Sequence, residues 1–485
     1  MSAPADAGLG PIFRPRSVAF VGASNNITTM GTVQMLNTLR GGFQGPVVPV
    51  HPREPTVLGQ RAYPRLTDLP EPVDLAVLIV PTAVVLEVVR DAIQRGIRHL
   101  VITTAGFREV GPEGEARERE LAALAAEAGL RFVGPNCIGV MNTHLGLNTT
   151  FFPYRHAPGG LSLASQSGTY ITQTLDQLAR WGIGLAKAVS VGNAVNVDLA
   201  DCLDFFADDP DTRAVGLYVE GIRDGRRFLE AARRCTALKP VVALYVGGSE
   251  AGARSGRSHT GALAGPDPLY DGVFHQAGIL RAPDVASLYQ WGHALATQPV
   301  PRGPRMAVLT HSGGPATSMA DAVARVGLEL PRLPEALQAD IKKRIPATGS
   351  AQNPVDLTFS LNPKLLAVRL PRMLLECPEI DGLLMHGIQG STFFEGMAEM
   401  ARGLLQVEVA QLAEFTESFL PPLLALPGEL QKPIVMSGFF DRQDNLIRRL
   451  QDGGIPYFDS PERAVSAMAA LVRHGQIQAR RQQGA

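Results

Sequence analysis

A histidine stands at position 259 inside the stretch GARSGRSHTGALAG, residues 252–265, among glycine, serine, alanine and arginine rather than the apolar residues that usually enclose a packed imidazole. Presented in this way, the ring is a candidate nucleophile, with a structural or idle imidazole as the alternative. Neutral imidazole is nucleophilic near pH 7, and the charged phosphoimidazole it forms is a good leaving group. Two other features belong to the same part of the chain. Glu220, in LYVEGIRD, follows an apolar run, which puts a carboxylate at a strand end where open parallel sheets bind ligands, or where it is merely solvated or caps a neighbouring helix. Ser165, Gln166, Ser167, Gly168 and Thr169 spell SQSGT at a strand-to-helix junction, which reads either as an ordinary capped helix or as an anion site made of first-turn N–H groups. Together the three supply a nucleophile, a group to orient it and a phosphate cradle.

A second constellation lies nearer the N-terminus. The run SVAFVG closes on Gly22, and Ala23, Ser24 and Asn25 lead toward a helix opening near Gly31. Such a turn either cradles a pyrophosphate or is simply tight. The text VGASNNITTMG departs from GxGxxG, and the acidic residue that would hold a ribose diol about 20 residues on is absent. Arg53, in PVHPRE, stands there instead and suits an extra phosphate. A nicotinamide oxidoreductase is disfavoured on the same ground. The sequence contains no GxxxxGK[ST], no serine hydrolase elbow and no metal cluster.

The elements that must carry these residues are legible in the apolar pattern. PVVPVHP, VDLAVLIVP, HLVITTAGF and RFVGPN are strand candidates separated by amphipathic segments such as AVVLEVVRDAIQRG, which predicts a parallel, doubly wound α/β sheet ending near residue 145. Residues 160–295 and 303–475 then carry matching landmarks in the same order. LSLASQSGTYITQTLDQLARWGI parallels MAVLTHSGGPATSMADAVARVGL, NVDLAD parallels NPVDLT, and KPVVAL parallels KPIVMS. Two related α/β domains follow the first, joined through TQPVPRG. They differ at one place: 38 positions separate Pro240 from Gly278 but only 21 separate Pro433 from Gly454, so the first copy holds 17 more residues, with His259 among them. His386 of the second copy stands where the first has Glu220.

Composition narrows the function classes. Forty-five basic and 46 acidic residues give a net charge of −1, so no broad field draws the protein to nucleic acid or an anionic membrane. Cys137, Cys202, Cys235 and Cys377 are too scattered for a disulfide framework, no metal spacing is present, and no apolar run approaches the span of a bilayer. A cytoplasmic protein is expected.

With these residues assembled, the chain resembles the alpha subunit of NDP-forming acyl-CoA synthetases, acid:CoA ligases related to succinyl-CoA synthetase. The resemblance runs over nearly the whole length, through VAFVGASNN, AGFREVG, VGPNCIGVMN, ASQSGT, VEGIRD, SHTGALAG, HSGGPATS, NPVDL and GIPYFDSPERAV. It implies a Rossmann-like CoA-binding domain at 1–148 and two flavodoxin-like ligase domains at 149–296 and 303–478. It implies phosphorylation of His259, with Glu220 holding the imidazole and Ser165–Thr169 receiving the phosphoryl group. For CoA it implies the turn Gly22, Ala23, Ser24 and Asn25 with Gly31, then Arg53, Pro81, Thr82, Thr103 and Thr104, with Asn136 and Cys137 toward the thiol end. Fused members of the family continue into an ATP-grasp domain, whereas this chain ends at Ala485 without one. The nucleotide site, for ATP or GTP with Mg2+, is therefore expected on an ATP-grasp beta subunit in a hetero-oligomer, with a small carboxylic acid as the other substrate. The alternative is a catalytically incomplete module that binds CoA or acyl-CoA for regulation.

Overall fold

Short runs of buried Val, Ile, Leu and Ala alternate with helices along the whole chain, and each run becomes a strand covered on both faces. The computed structural model describes residues 8–252, 254, 265–358, 360, 362, 364–388, 390–404 and 418–483. It divides into two bodies, Met1–Ala179 with Gly184–Leu288, and Arg180–Ile183 with Tyr289–Ala485.

Among the described residues the first body holds two large sheets and a small antiparallel ribbon, Thr56–Val57 with Gln60–Arg61. In one, five parallel strands lie in the order Val47–Val50, Val18–Val21, Leu75–Leu78, His99–Ile102, Arg131–Val133. In the other the parallel strands run Leu280–Arg281, Val241–Tyr245, Ala214–Val219, Leu161–Ser165, Leu185–Ser190. The pair Val140–Asn142 and Leu147–Asn148 extends its last edge antiparallel. The second body carries one parallel sheet, Val355–Asp356, Met306–Thr310, Gly382–His386, Ile434–Ser437, Tyr457–Phe458. Counted along the chain, the parallel strands of all three sheets follow the order 2-1-3-4-5, so each sheet reverses between its first and third strands. The crevice at the carboxyl ends of those two strands is where such sheets take ligands. Gly22 and Ile79 follow the pair in the first sheet, Gln166 and Glu220 in the second, His311 and Gly387 in the third.

Local signals explain several boundaries. Asp198 caps the helix Leu199–Asp208 by accepting from Ala200 N at 2.9 Å and Asp201 N at 3.0 Å, while Asp201 accepts from Asp198 N in return. Phe13, at the end of the first short helix, stacks on Phe205 with centroids 4.5 Å apart, and its carbonyl accepts from Asn142 Nδ2 at 2.9 Å. These contacts bind the two sheets of the first body into one core. Among the described residues no helix is long and apolar enough to cross a membrane.

One charge is fully enclosed. Lys187, with its side chain 0% exposed on the strand Leu185–Ser190, donates to Asp209 at 2.7 Å and Asp211 at 2.8 Å, and Arg14 also pairs with Asp209. Burial acts to raise the Asp209 carboxyl, but hydrogen bonds from Lys187 and Thr212 outweigh it and hold the carboxyl below its usual range. Removing the cation leaves the buried Asp209 carboxylate with only Arg14 and Thr212 as donors, so Lys187→Ala should cost the first body about 3 kcal/mol in urea unfolding at pH 7. A depressed carboxyl contributes stability above its unfolded pKa and loses it as pH falls through the folded value. The gap between the two proteins should therefore narrow in acid.

Candidate functional site

In the first sheet the turn after Val18–Val21 is held by close backbone approach. Gly22 has φ of 101°, and a Cβ there would lie 2.0 Å from the Ile79 carbonyl oxygen. One on Gly31 would lie 2.9 Å from the Gly22 oxygen, so the helix Met30–Arg40 starts directly against the turn. Thr32 Oγ1 accepts from Ser24 N at 3.0 Å and donates to Ser24 O at 2.8 Å. Asn25 reaches the other way, accepting from Leu58 N at 2.9 Å and donating to Thr56 O at 2.8 Å. Ala23 is buried beneath.

A cavity of about 620 Å3 opens at this switch point, with Gly22, Arg53 and Pro81 among its walls together with His51, Arg65 and Glu87. Arg53 is exposed, and among the described residues its guanidinium has no carboxylate partner. Thr82 Oγ1 donates to Ala105 O at 2.7 Å and Thr104 Oγ1 to Val80 O at 2.8 Å, lacing two strand ends together beside the cavity. Thr103 is buried, and its hydroxyl has no hydrogen-bond partner among the described residues. Asn136 takes a left-handed φ of 57° and donates its N–H to Thr104 O at 3.0 Å. Cys137 is buried, its thiol donating to Ile102 O at 3.3 Å, and burial pushes that thiol up to about 12. Of the residues expected to hold CoA only Gly22, Arg53 and Pro81 line the cavity; the rest of the turn with Gly31, and Thr82, Thr103, Thr104, Asn136 and Cys137, do not.

The second sheet brings SQSGT against Glu220. Gln166 Oε1 accepts from Glu220 N at 2.6 Å and Gly221 N at 3.0 Å, while its Nε2 donates to Gly221 O at 2.9 Å. The Gln166 side chain is thus spent on fixing the backbone that carries Glu220. Ser165 Oγ accepts from Ser167 N at 3.1 Å and donates to Ser167 O at 2.5 Å, a local turn rather than a helix cap. The helix that follows is only Thr169–Thr172, with Gly168 at its N-cap and no side chain capping it; a second helix, Leu175–Arg180, comes after. The hydroxyls of Ser167 and Thr169 form no hydrogen bond to a described residue, and Thr169 is exposed. Gly168 has no room for a side chain, since a Cβ would meet Ile138 Cγ1 at 1.7 Å.

His259 lies outside the described residues, but the ends of its segment are placed. Both emerge at the carboxyl end of Val241–Tyr245, the strand beside Ala214–Val219: a Cβ on Gly248 would touch Asp267 Oδ1 at 2.1 Å, and Tyr245 Oη donates to Gly265 O at 2.6 Å. Burial, with Tyr270 alongside, pushes the Tyr245 phenol up to about 12, so it remains a donor. Tyr245 stacks on Tyr270 at 3.5 Å, and Tyr270 Oη accepts from Ile222 N at 3.2 Å, two residues beyond Glu220. The chain carrying His259 therefore leaves and returns beside the half-buried Glu220.

Four residues to which the motif reading gave no role also converge here: Glu109 of AGFREVG, Arg223 of VEGIRD, Glu118 and Asn193. Asn193 Nδ2 donates to Glu109 at 2.7 Å and Glu118 at 2.9 Å, and Arg223 donates to the Asn193 carbonyl at 3.1 Å. A clue stands in SVGNAVNVD, a glycine and asparagine at the end of a strand, directly before a repeat landmark.

The third sheet has a different centre. His386, 2% exposed, meets Ser437 Oγ through Nδ1 at 2.8 Å, and the His311 ring lies 6.5 Å away. Burial, then His311, pushes His386 down to about 4, against a smaller opposing pull from Glu462. Burial, then Arg481, does the same to His474. Unfolding returns both rings to about 6.5. Groups with depressed folded pKa keep the body stable above the unfolded value and cost stability as pH falls from there toward 4. The melting temperature of the second body should accordingly drop between pH 6.5 and 4, and His474→Gln should flatten that drop.

Comparison with known proteins follows the same three-part division. Residues 16–143 match the CoA binding domain, 158–295 the succinyl-CoA ligase like flavodoxin domain, and 306–420 the ligase-CoA domain. The chain is 36% identical over 463 residues to the alpha subunit of acetate–CoA ligase [ADP-forming] II of Pyrococcus furiosus, covering 95% of this chain and 96% of that one. The chain belongs to the alpha subunits of the ADP-forming acyl-CoA ligases, within the succinyl-CoA ligase superfamily. The alpha subunit of acetate–CoA ligase [ADP-forming] I from the same organism is 35% identical over 471 residues, covering 96% and 97%. Among solved structures, the dinucleotide forming acetyl-coenzyme A synthetase 1 of Candidatus Korarchaeum cryptofilum, described in complex with phosphate and ADP, superposes with a TM-score of 0.85 at 32% identity over 99% of both chains. In this ADP-forming ligase alpha subunit, the cavity at Gly22 and Arg53 falls within the CoA binding domain, and Gln166 and Glu220 within the flavodoxin domain.

Proposed function

We propose that this ligase subunit interconverts acid, CoA and nucleoside triphosphate with acyl-CoA, nucleoside diphosphate and phosphate, through an acyl phosphate and a phosphohistidine at His259. A phosphate oxygen attacks the thioester carbonyl and the CoA sulfur leaves and takes up a proton. A ring nitrogen of His259 attacks the phosphorus of the acyl phosphate, releasing the carboxylate, and a terminal oxygen of the nucleoside diphosphate then takes the phosphoryl group from the ring. The nucleotide, with Mg2+, sits on an ATP-grasp beta subunit. The word alpha in the names of the Pyrococcus relatives supports such a partner, and ADP-forming favours ATP as the triphosphate.

One observation carries this reading: Gln166 fixes Glu220 at the strand end beside which the chain holding His259 departs and returns. Glu220 accepts the N–H of one imidazole nitrogen, which turns the other lone pair toward phosphorus. Open N–H groups and the hydroxyls of Ser167 and Thr169 receive the phosphoryl oxygens. CoA occupies the cavity at the first sheet's switch point, with Arg53 on its phosphates. The test is reconstitution with an ATP-grasp beta subunit and a panel of small carboxylic acids, measuring acyl-CoA formation. A complex that turns over none of them, with or without nucleotide, refutes the reaction.

The CoA assignment has its own check. Arg53→Ala removes a charge-assisted contact while touching no ion pair of the fold, so CoA binding by calorimetry should weaken by roughly 1–3 kcal/mol with an unchanged melting temperature. Unaltered affinity moves the phosphates away from Arg53.

A further inference from the structure

We infer that Asn193 is a positioning residue that locks the loops proposed to hold CoA to the backbone that carries Glu220, an inference that rests on the reaction just proposed. Its side chain is 1% exposed and fully employed. Nδ2 gives one hydrogen to Glu109 Oε2 at 2.7 Å and the other to Glu118 Oε2 at 2.9 Å, while Oδ1 accepts from Asn136 Nδ2 at 3.3 Å. Two ionised carboxylates can only accept, so the orientation of the Asn193 amide is dictated by its neighbours.

Each partner reaches a different functional segment. Glu109 uses its second oxygen to accept from Gly106 N at 2.6 Å and Phe107 N at 3.0 Å, which sets the loop after Thr103 and Thr104. Asn136 belongs to GPNC, and the chain before it is tied again where Asn193 N donates to Pro135 O at 2.9 Å. On the other side Arg223, three residues past Glu220, donates to Asn193 O at 3.1 Å and Ala194 O at 3.4 Å, and it also approaches Glu118 at 3.9 Å. Asn193 is thus the point through which the loops of the CoA binding domain and the Glu220 segment share one frame.

The backbone around it is held in conformations that surrounding structure must enforce. Asn136 has φ of 57° and Ala194 φ of 49°, two non-glycine residues in the left-handed region on opposite sides of a single contact. Between them Gly192, at φ of 53°, comes so near that a Cβ would lie 2.4 Å from the carbonyl oxygens of both Pro135 and Asn136. Packing alone gives no reason to set one buried and one half-buried carboxylate at such a junction, where each costs desolvation unless it is hydrogen-bonded. A fully satisfied polar network there specifies one relative placement of the loops.

The test uses the complex reconstituted with the beta subunit and separates two half-reactions. In Asn193→Ala, phosphohistidine formation from Mg2+ and ATP should match the wild type, because it needs no CoA loop, whereas kcat for acyl-CoA formation should fall roughly 10- to 100-fold through misplacement of the reacting groups. A second variant decides the matter independently of that one's folding. In the triple variant Glu109→Gln, Glu118→Gln, Asn193→Asp, the two hydrogen bonds from Asn193 Nδ2 to the glutamates are reversed, while Asn136 Nδ2 still donates to an oxygen of residue 193. The amides of both introduced glutamines donate to the introduced carboxylate, and their oxygens still face Gly106, Phe107 and Arg108. This triple variant should recover most of the activity that Asn193→Asp alone loses. Full acyl-CoA formation by Asn193→Ala overturns the inference, as does an equal loss of phosphohistidine, or a triple variant no better than Asn193→Asp. Wild-type complex that forms neither phosphohistidine nor acyl-CoA defeats the reaction itself and leaves no role for Asn193 in positioning.

Discussion

The complex carrying His259→Ala should form no acyl-CoA from acid, CoA and ATP and should retain no covalent phosphate. In the wild type, incubation with Mg2+ and ATP should leave one phosphate that is labile in acid and stable in base, since a phosphoramidate hydrolyses readily once its nitrogen is protonated. Both signals depend on one nitrogen, so both should vanish together. Glu220→Gln should keep the fold, because the backbone N–H groups of residues 220 and 221 are held by Gln166 whatever side chain stands there. It should slow labelling by misorienting the ring. His386 offers the control: it ends a strand of the second body's sheet, pairing with Thr310 as Tyr218 pairs with Ser165, and it is buried against Ser437 and held neutral down to about pH 4. Replacing it should leave the label in place. A fully active His259→Ala complex, or a label that persists in it on another residue, ends the assignment.

How much of this can be read from the residues alone follows from how far each interaction reaches along the chain. The sheet type is recoverable because apolar runs such as VDLAVLIVP are buried on both faces, and the matching landmarks announce two related domains. Glu220 and SQSGT can be paired because parallel strands deliver their carboxyl ends to a common edge. The division of labour within SQSGT cannot be read. A glutamine beside two serines looks like one more phosphate ligand, and only its contacts with Glu220, 54 residues away, show it fixing the backbone of its partner. Ser165 looks equally like a cap, and it makes a local turn instead. Asn193 is invisible for the same reason: its contacts are with Glu109 and Glu118, 84 and 75 residues earlier; Glu118 is one glutamate among many in a charged helix, and Glu109 stands in AGFREVG with nothing there to show which amide it meets. Periodicity reports burial and motifs report local geometry, but neither records which distant acceptor an amide will meet.

Gly22→Ala should abolish CoA binding and destabilise the first body by about 3 kcal/mol or more. Two costs combine. The φ of 101° strains any residue with a Cβ, at roughly 1–2 kcal/mol, and that part can be measured alone. Gly42 has nearly the same φ, 99°, with nothing within 4 Å of its added Cβ, so Gly42→Ala reports the conformational term by itself. The second cost is specific to position 22, where the new carbon would stand 2.0 Å from the Ile79 oxygen and 3.3 Å from Val80 Cγ1. The nearest obstacle is backbone, so no rotamer change relieves it. Relief requires the carboxyl ends of Val18–Val21 and Leu75–Leu78 to separate, which strains the bonds from Ile79 N to Val21 O at 2.9 Å and from Gly22 N to Val50 O at 3.2 Å. Those strand ends form a wall of the cavity proposed to take CoA, and the helix Met30–Arg40 rests on the same turn through Gly31. Urea unfolding should therefore show a larger loss for Gly22→Ala than for Gly42→Ala, with calorimetric CoA binding lost only in the former. Equal losses in the two variants, or CoA bound by Gly22→Ala with wild-type affinity, would place the cofactor away from this turn.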